Sequence, residues 1–538
     1  MVTRHLRGFR MQRSDVSIPD RDRAPAIAAC GMTQGISVGD DKHQMTPASL
    51  STGVQGLDDV LQGGLPPGRV YLIEGDPGSG KTTVALQFLL EGIARGEACL
   101  FVTLSEGEQD LRATGASHGW TLDGIQFIDL IPSEESLRTD ASYRMYHPSE
   151  VELGDTIKAV FAEAERIQPQ RVVIDSVSEL RLLAANPLRY RRQIFALKRY
   201  FARHRSTVLF TDDQMGAEQD MHLHSLAHGV ISLERLIPEY GTMRRRIQVG
   251  KLRGRAFREG YHDFVIQRGG VVVFPRLVAA EHRVARTRES VRSGLEALDA
   301  LLGGGLAKGT STLIMGPAGT GKSTVATQFA VAAAQRGERP VLFVFDESIS
   351  TLLERSAGLG MDVEPLLEAK RMTVRQVDPA ELSPGEFAHT VRQAAEAGSR
   401  VIVIDSLNGY LNAMPSEQFL TLHLHELLTY LGQRGVTTLL LMTQHGVVSA
   451  DSNSPVDASY LADTVMLMRY FEAAGEIRQA ISVIKKRTGT HERTIRELRF
   501  DHGVTVGEPL RNFQGVLTGT PQLIGKVRDD GTGRRADA

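Results

Sequence analysis

The chain has 538 residues, 41% hydrophobic and 23% charged, with a formal net charge of −2 at pH 7. That length exceeds a single hydrophobic core and points to roughly two to four domains, while the near-neutral charge gives no overall electrostatic argument for a nucleic-acid or membrane-surface protein. Only Cys30 and Cys99 occur, which excludes a disulfide framework and favours a reducing, cytoplasmic setting.

Residues 1–46 are rich in Arg and Asp and show no apolar period and no signal-peptide core, so they are expected to form a disordered arm. No apolar run reaches the roughly 18 residues of a membrane span. From there short apolar runs alternate with longer amphipathic stretches. Val70–Ile73, Cys99–Val102, Val172–Ile174 and Val208–Phe210 are unbroken apolar runs of strand length. A later set repeats them as Thr312–Met315, Val341–Val344, Val401–Ile404 and Thr438–Leu441. Unbroken runs suit strands covered on both faces, so each copy is expected to be an α/β domain with a mostly parallel sheet flanked by helices. Ser142–Glu150, rich in Tyr and Pro, reads as a loop.

The two sets belong to one internal duplication. Gly53-Val54-Gln55-Gly56-Leu57-Asp58 is echoed by Gly294-Leu295-Glu296-Ala297-Leu298-Asp299, and Gly63-Gly64-Leu65 by Gly304-Gly305-Leu306. Gly75-Asp76-Pro77-Gly78-Ser79-Gly80-Lys81-Thr82 is echoed by Gly316-Pro317-Ala318-Gly319-Thr320-Gly321-Lys322-Ser323, and every pair keeps one offset of 241 residues. A period of that length means duplicated domains rather than a solenoid. The expected division is 47–286 and 287–523, with a boundary near 282–290 around Arg283, Arg286 and Arg288 and a disordered tail over 524–538.

Both copies carry G-x-x-x-x-G-K-[ST] between an apolar strand and a helix. The glycines let the backbone wrap phosphates with its N–H groups. Lys81 and Lys322 are expected at the β- and γ-phosphates of ATP, Thr82 and Ser323 at Mg²⁺, and Thr83 and Thr324 close the two loops. Asp175 and Asp405 each end an apolar strand and complete the metal side of such a site. Glu106 in the first copy, and Asp346 and Glu347 in the second, follow the second strand. A carboxylate there either orients an attacking water or hydroxyl, or simply stabilises a helix N-terminus. Two basic segments, Lys251-Leu252-Arg253 and Lys485-Lys486-Arg487, recur late in each copy. Each reads as a solvated turn or as charge lent to a neighbour's γ-phosphate.

With these residues in view, the chain resembles the KaiC family of tandem RecA-like P-loop ATPases, known from the cyanobacterial clock, from about Pro47 to about Thr520. The resemblance rests on the Gly-Leu-Asp and Gly-Gly-Leu signatures before each P-loop and on the Lys-x-Arg segments. It implies a homo-oligomer, a hexameric double ring with ATP between subunits. Lys251, Arg253, Lys485 and Arg487 would then contact a neighbour's nucleotide, and Glu106, Asp346 and Glu347 would be catalytic. Two departures stand out. Ser105-Glu106 replaces the family's paired glutamates in the first copy. Ser459-Tyr460 replaces the Ser-Thr autophosphorylation pair, leaving Ser459 as the one candidate phosphosite. The expected function is an Mg-ATP hydrolase with autokinase activity open in the second domain, signalling through protein partners that the sequence does not identify. A RecA- or DnaB-like DNA motor is the alternative, against which stand the charge and the lack of a basic loop interleaved with aromatics. An ATP-binding scaffold with little turnover is a third reading.

Overall fold

The structure is a computed structural model and describes residues 49–130, 148–184, 186–213, 221–238, 241–278, 289–412, 420–444, 458–517 and 521–524. The arm 1–46, the boundary as far as Arg288, Ser142–His147, Asp457 and nearly all of the tail lie outside the described residues.

Two nine-stranded sheets share one strand order. In the first, β1 (Val70–Gly75), β2 (Cys99–Thr103), β3 (Ile125–Asp129), β4 (Arg171–Asp175), β5 (Thr207–Asp213), β6 (Gly229–Leu236), β7 (Arg244–Leu252), β8 (Tyr261–Gln267) and β9 (Gly270–Phe274) run 3-2-4-5-1-6-7-8-9. A short pair, β10 (Ser290–Val291) with β11 (Leu306–Ala307), opens the second copy. Its sheet then repeats the order with β12 (Ser311–Gly316), β13 (Val341–Val344), β14 (Thr373–Gln376), β15 (Val401–Asp405), β16 (Thr437–Thr443), β17 (Thr464–Ala473), β18 (Glu476–Lys486), β19 (Arg496–Arg499) and β20 (Thr505–Pro509). These are tandem RecA-like α/β domains.

The apolar runs explain the layers. Every residue of β1 and β4 is buried. On β1, Tyr71 and Ile73 face the helix Lys81–Ala94 through Phe88, whereas Val70 and Leu72 pack on Ile194 and Phe201 of the helix Pro187–Arg203. Burying each such side chain contributes roughly 1.5–3 kcal/mol. The second sheet does the same, with Ile314 against Phe329 and Leu313 against Phe387 and Leu431.

The sheets are mostly parallel, as expected, and two features add to or differ from the sequence reading. The parallel part ends at β6, and three antiparallel strands extend the sheet beyond it. The stretch Ser142–Glu150 is not loop throughout, because Pro148–Glu150 open a helix that runs to Ile167. Proline tolerates the first helical turn, where its missing N–H leaves no bond unmade.

Candidate active sites

Both P-loops join the carboxyl end of the central strand to a helix, the place where open α/β sheets bind ligands. Gly80 and Gly321 precede those helices with φ of 108° and 91°, in the left-handed region. A Cβ on Gly80 would lie 2.7 Å from Ile266 Cδ1, and one on Gly321 would lie 2.1 Å from Phe500. The loops are therefore pressed against the antiparallel extensions, and only glycine fits.

In the first site Lys81 Nζ donates to Gly75 O at 2.8 Å and Asp76 O at 3.0 Å, and pairs with Asp213 Oδ1 at 2.8 Å. Thr82 Oγ1 donates to Asp175 Oδ2 at 2.8 Å, and Thr211 Oγ1 to Asp175 Oδ1 at 2.5 Å. Burial raises the Asp175 carboxyl, opposed by those two hydroxyls and by Lys81. Glu106 follows β2 with part of its surface open to solvent and part covered. Partial burial raises its pKa, and Asp175 and Asp110 add to the shift.

The second site places its charges differently. Lys322 Nζ donates to Gly316 O at 2.9 Å and Pro317 O at 2.7 Å, and burial pushes its pKa down to about 8 with Asp405 opposing. The Asp405 carboxyl is raised by burial, opposed first by a hydrogen bond from Ser323. Asp346 accepts from Ser406 Oγ at 2.6 Å. Glu347 accepts from Arg355 Nε at 3.0 Å and Nη2 at 2.9 Å, and Arg355 Nη1 donates to Thr324 Oγ1 at 3.2 Å.

These arrangements fit a magnesium nucleotide. Thr82 with Asp175, and Ser323 with Asp405, are hard oxygen pairs of the kind Mg²⁺ takes. Ser79 Oγ is wholly buried in the first loop with no partner among the described residues, and Gln444 Oε1 is likewise unsatisfied beside the second, where Gln444 N donates to Gly316 O at 3.1 Å. Orphaned polar atoms in or beside a loop that can wrap phosphates are what a ligand would satisfy.

The basic residues are not brought to these sites. Lys251 pairs in register with Val230, and Lys485 with Val465, close to where Gly229 and Thr464 meet the amino ends of β1 and β12. The P-loops leave from the other ends, roughly 13 Å along the strand. Lys251 Nζ donates to His224 O and to Ala227 O (2.9 Å), and Arg253 Nη2 to Ser225 O at 3.0 Å. Lys485 Nζ donates to Ser459 O at 2.8 Å, and Arg487 Nη2 to Tyr460 O at 3.2 Å. Ser459 lies in a 3₁₀ turn, Ala458–Tyr460, ahead of β17, and is remote from its own P-loop.

Sequence reasoning missed Asp213, Thr211 and Arg355. Asp213 ends β5 as Asp175 ends β4, but Thr211 and Asp212 separate it from the apolar run Val208–Phe210, so the signal of an acid directly after an apolar run stops short of it. Arg355 has Thr114 as its counterpart 241 residues earlier, a difference that the duplication register exposes.

Comparison with known proteins matches residues 50–278 and 291–510 to the family described as "ATPase: KaiC". The chain is 28% identical over 496 residues to the circadian clock oscillator protein KaiC of Acaryochloris marina, covering 90% of this chain and 93% of that one. It is 28% identical over 485 residues to the circadian clock protein KaiC3 of a Synechocystis strain, covering 88% and 94%. The KaiC of Synechococcus elongatus is 28% identical over 495 residues, covering 90% and 93%.

Proposed function

The chain belongs to the KaiC family of ATPases, and from that premise we propose that it hydrolyses Mg-ATP at two sites completed by neighbouring copies in a ring, with Ser459 as an acceptor for phosphoryl transfer in the second. The observation that carries this reading is the separation within each domain. The P-loop, the hydroxyl–aspartate pair and the glutamate gather at one end of the sheet, while Lys251, Arg253, Lys485, Arg487 and Ser459 sit at the other. A chain that carries both halves but cannot join them internally suits a head-to-tail ring, for which six subunits is the family expectation.

The residues divide the work as follows. The P-loop N–H groups and Lys81 or Lys322 bind the phosphates. Thr82 with Asp175, and Ser323 with Asp405, would hold Mg²⁺, whose charge offsets that developing on the transferred group. Glu106 and Glu347 orient a water and take its proton as its oxygen bonds to the γ-phosphorus and the bond to ADP breaks. In the autokinase reaction Ser459 Oγ of a neighbouring copy replaces water and passes its proton to Glu347 or Asp346. Lys485 and Arg487 hold the backbone of that serine's turn, so they link the acceptor segment to the charges lent across the interface.

Among the described residues no helix is long and apolar enough to cross a membrane. The ring would act through protein partners, its nucleotide and phosphorylation state being the signal. The test is intact-mass analysis after incubation with Mg-ATP, with phosphate release assayed in parallel. A single added phosphate on Ser459 supports the autokinase. Release without a mass shift leaves a hydrolytic ring and removes the kinase from the proposal.

A further inference from the structure

An ammonium group has three N–H donors. In the first site all three of Lys81 are taken, by Gly75 O, Asp76 O and the Asp213 carboxylate. In the second site two of Lys322 are taken, by Gly316 O and Pro317 O, and no third partner exists among the described residues. The difference comes from one position. Gly75 pairs in register with Asp213, and Gly316 pairs in the same way with Thr443. An acid thus stands beside the first lysine where the second has a neutral hydroxyl.

We infer that Asp213 competes with nucleotide phosphate for Lys81, so that it sets the affinity of the first site, while among the described residues no carboxylate is bonded to Lys322 in the second. The inference rests on the reading of both P-loops as nucleotide sites. A phosphate oxygen arriving at Lys81 must displace the carboxylate at 2.8 Å or share the ammonium with it, placing two anions on one cation. Asp175 lies close enough to feel the charge of Asp213, so the displaced carboxylate would stay within a field already negative. At Lys322 the phosphate meets an open donor. The Asp213 side chain is 32% exposed, so solvent screens the competition without removing it.

The experiment uses full-length protein carrying Lys322→Ala, which confines nucleotide to the first site, and a fluorescent ADP with Mg²⁺ as the probe. Adding Asp213→Asn keeps the shape and removes the charge, and should tighten binding by roughly two- to fivefold. The reciprocal chain carries Lys81→Ala with Thr443→Asp, and its second site should weaken by a similar factor. Thermal unfolding without nucleotide checks that each variant folds, and the reciprocal chain keeps the inference testable if Asp213→Asn does not. Equal affinities with Asp and Asn at 213 would overturn the inference, as would weaker binding in the Asn variant, which would make Asp213 a holder of the nucleotide or its metal. Absence of binding in the Lys322→Ala chain with either residue at 213 is a different result. It removes the first P-loop as a nucleotide site, and the inference with it.

Discussion

Arg355 grips Glu347 through two bonds to separate oxygens, Nε to Oε1 at 3.0 Å and Nη2 to Oε2 at 2.9 Å. Glu106, at the duplicated position, has no cation beside it among the described residues, because Thr114 stands where Arg355 stands. Taken with the Lys81–Asp213 pair, the two sites are inverted. In the first the lysine is held by an acid and the glutamate is unheld, and in the second the glutamate is held and the lysine has an open donor.

A planar guanidinium matched to a carboxylate fixes direction as well as charge. Replacing Arg355 by Thr should therefore leave nucleotide binding at the second site nearly unchanged while lowering its turnover by about 10- to 100-fold. Phosphate release and nucleotide affinity, both measured in a Lys81→Ala background, separate those effects. A loss confined to affinity would mean that Arg355 works through Thr324 and the P-loop instead.

The first site should be acid-sensitive. Burial and the neighbouring Asp175 and Asp110 raise the Glu106 carboxyl, and a general base works only when ionised. As pH falls, first-site turnover should fail at a higher pH than the ordinary glutamate value of about 4.3 would give. Asp110→Asn removes one of the raising charges and should move the acid limb of phosphate release by Lys322→Ala protein to lower pH. A limb that stays in place would exclude Glu106 as the titrating base.

Much of this was legible in the residues. The unbroken runs Val70–Ile73 and Val401–Ile404 mark strands covered on both faces, and the P-loops and strand-ending acids point to the carboxyl ends where they are found. The antiparallel extension was not legible. Arg244-Arg245-Arg246-Ile247-Gln248-Val249 carries only Ile247 and Val249 as its apolar face, with Arg244 buried at the strand's start, so half-burial leaves too little apolar signal. Arg355 escaped for a different reason. A salt bridge eight residues along a turn and a helix has no local pattern, and an arginine on an amphipathic helix ordinarily faces solvent.

At the second site the lysine sets an alkaline limit. Burial lowers Lys322 to about 8, and a phosphate binds the protonated form more tightly. Above that pH, binding must take up a proton, so affinity should fall by about tenfold per pH unit once the lysine is neutral. Titration of Lys81→Ala protein with a fluorescent ADP between about pH 7 and 9.5 checks this. Constant affinity across that range would place the phosphates out of reach of Lys322.

Because each chain keeps the donor and acceptor halves at opposite ends of the sheet, two defective chains should repair each other. Lys322→Ala lacks the phosphate-binding half of the second site but keeps Lys485 and Arg487. A chain with Lys485→Ala and Arg487→Ala lacks the lent charges but keeps its P-loop. Each alone should show little second-site turnover, with Lys81→Ala in both to silence the first site. Mixed rings contain interfaces where an intact P-loop meets an intact basic segment. For random mixing of equal amounts about a quarter of the interfaces are of this kind, so turnover should return to about that fraction of the Lys81→Ala level. The backbone bonds from Lys485 and Arg487 to Ser459 and Tyr460 allow a competing outcome, in which the double substitution only loosens its own turn. In that case phosphate release would not be lost in the basic-segment chain alone, and mixing would restore nothing.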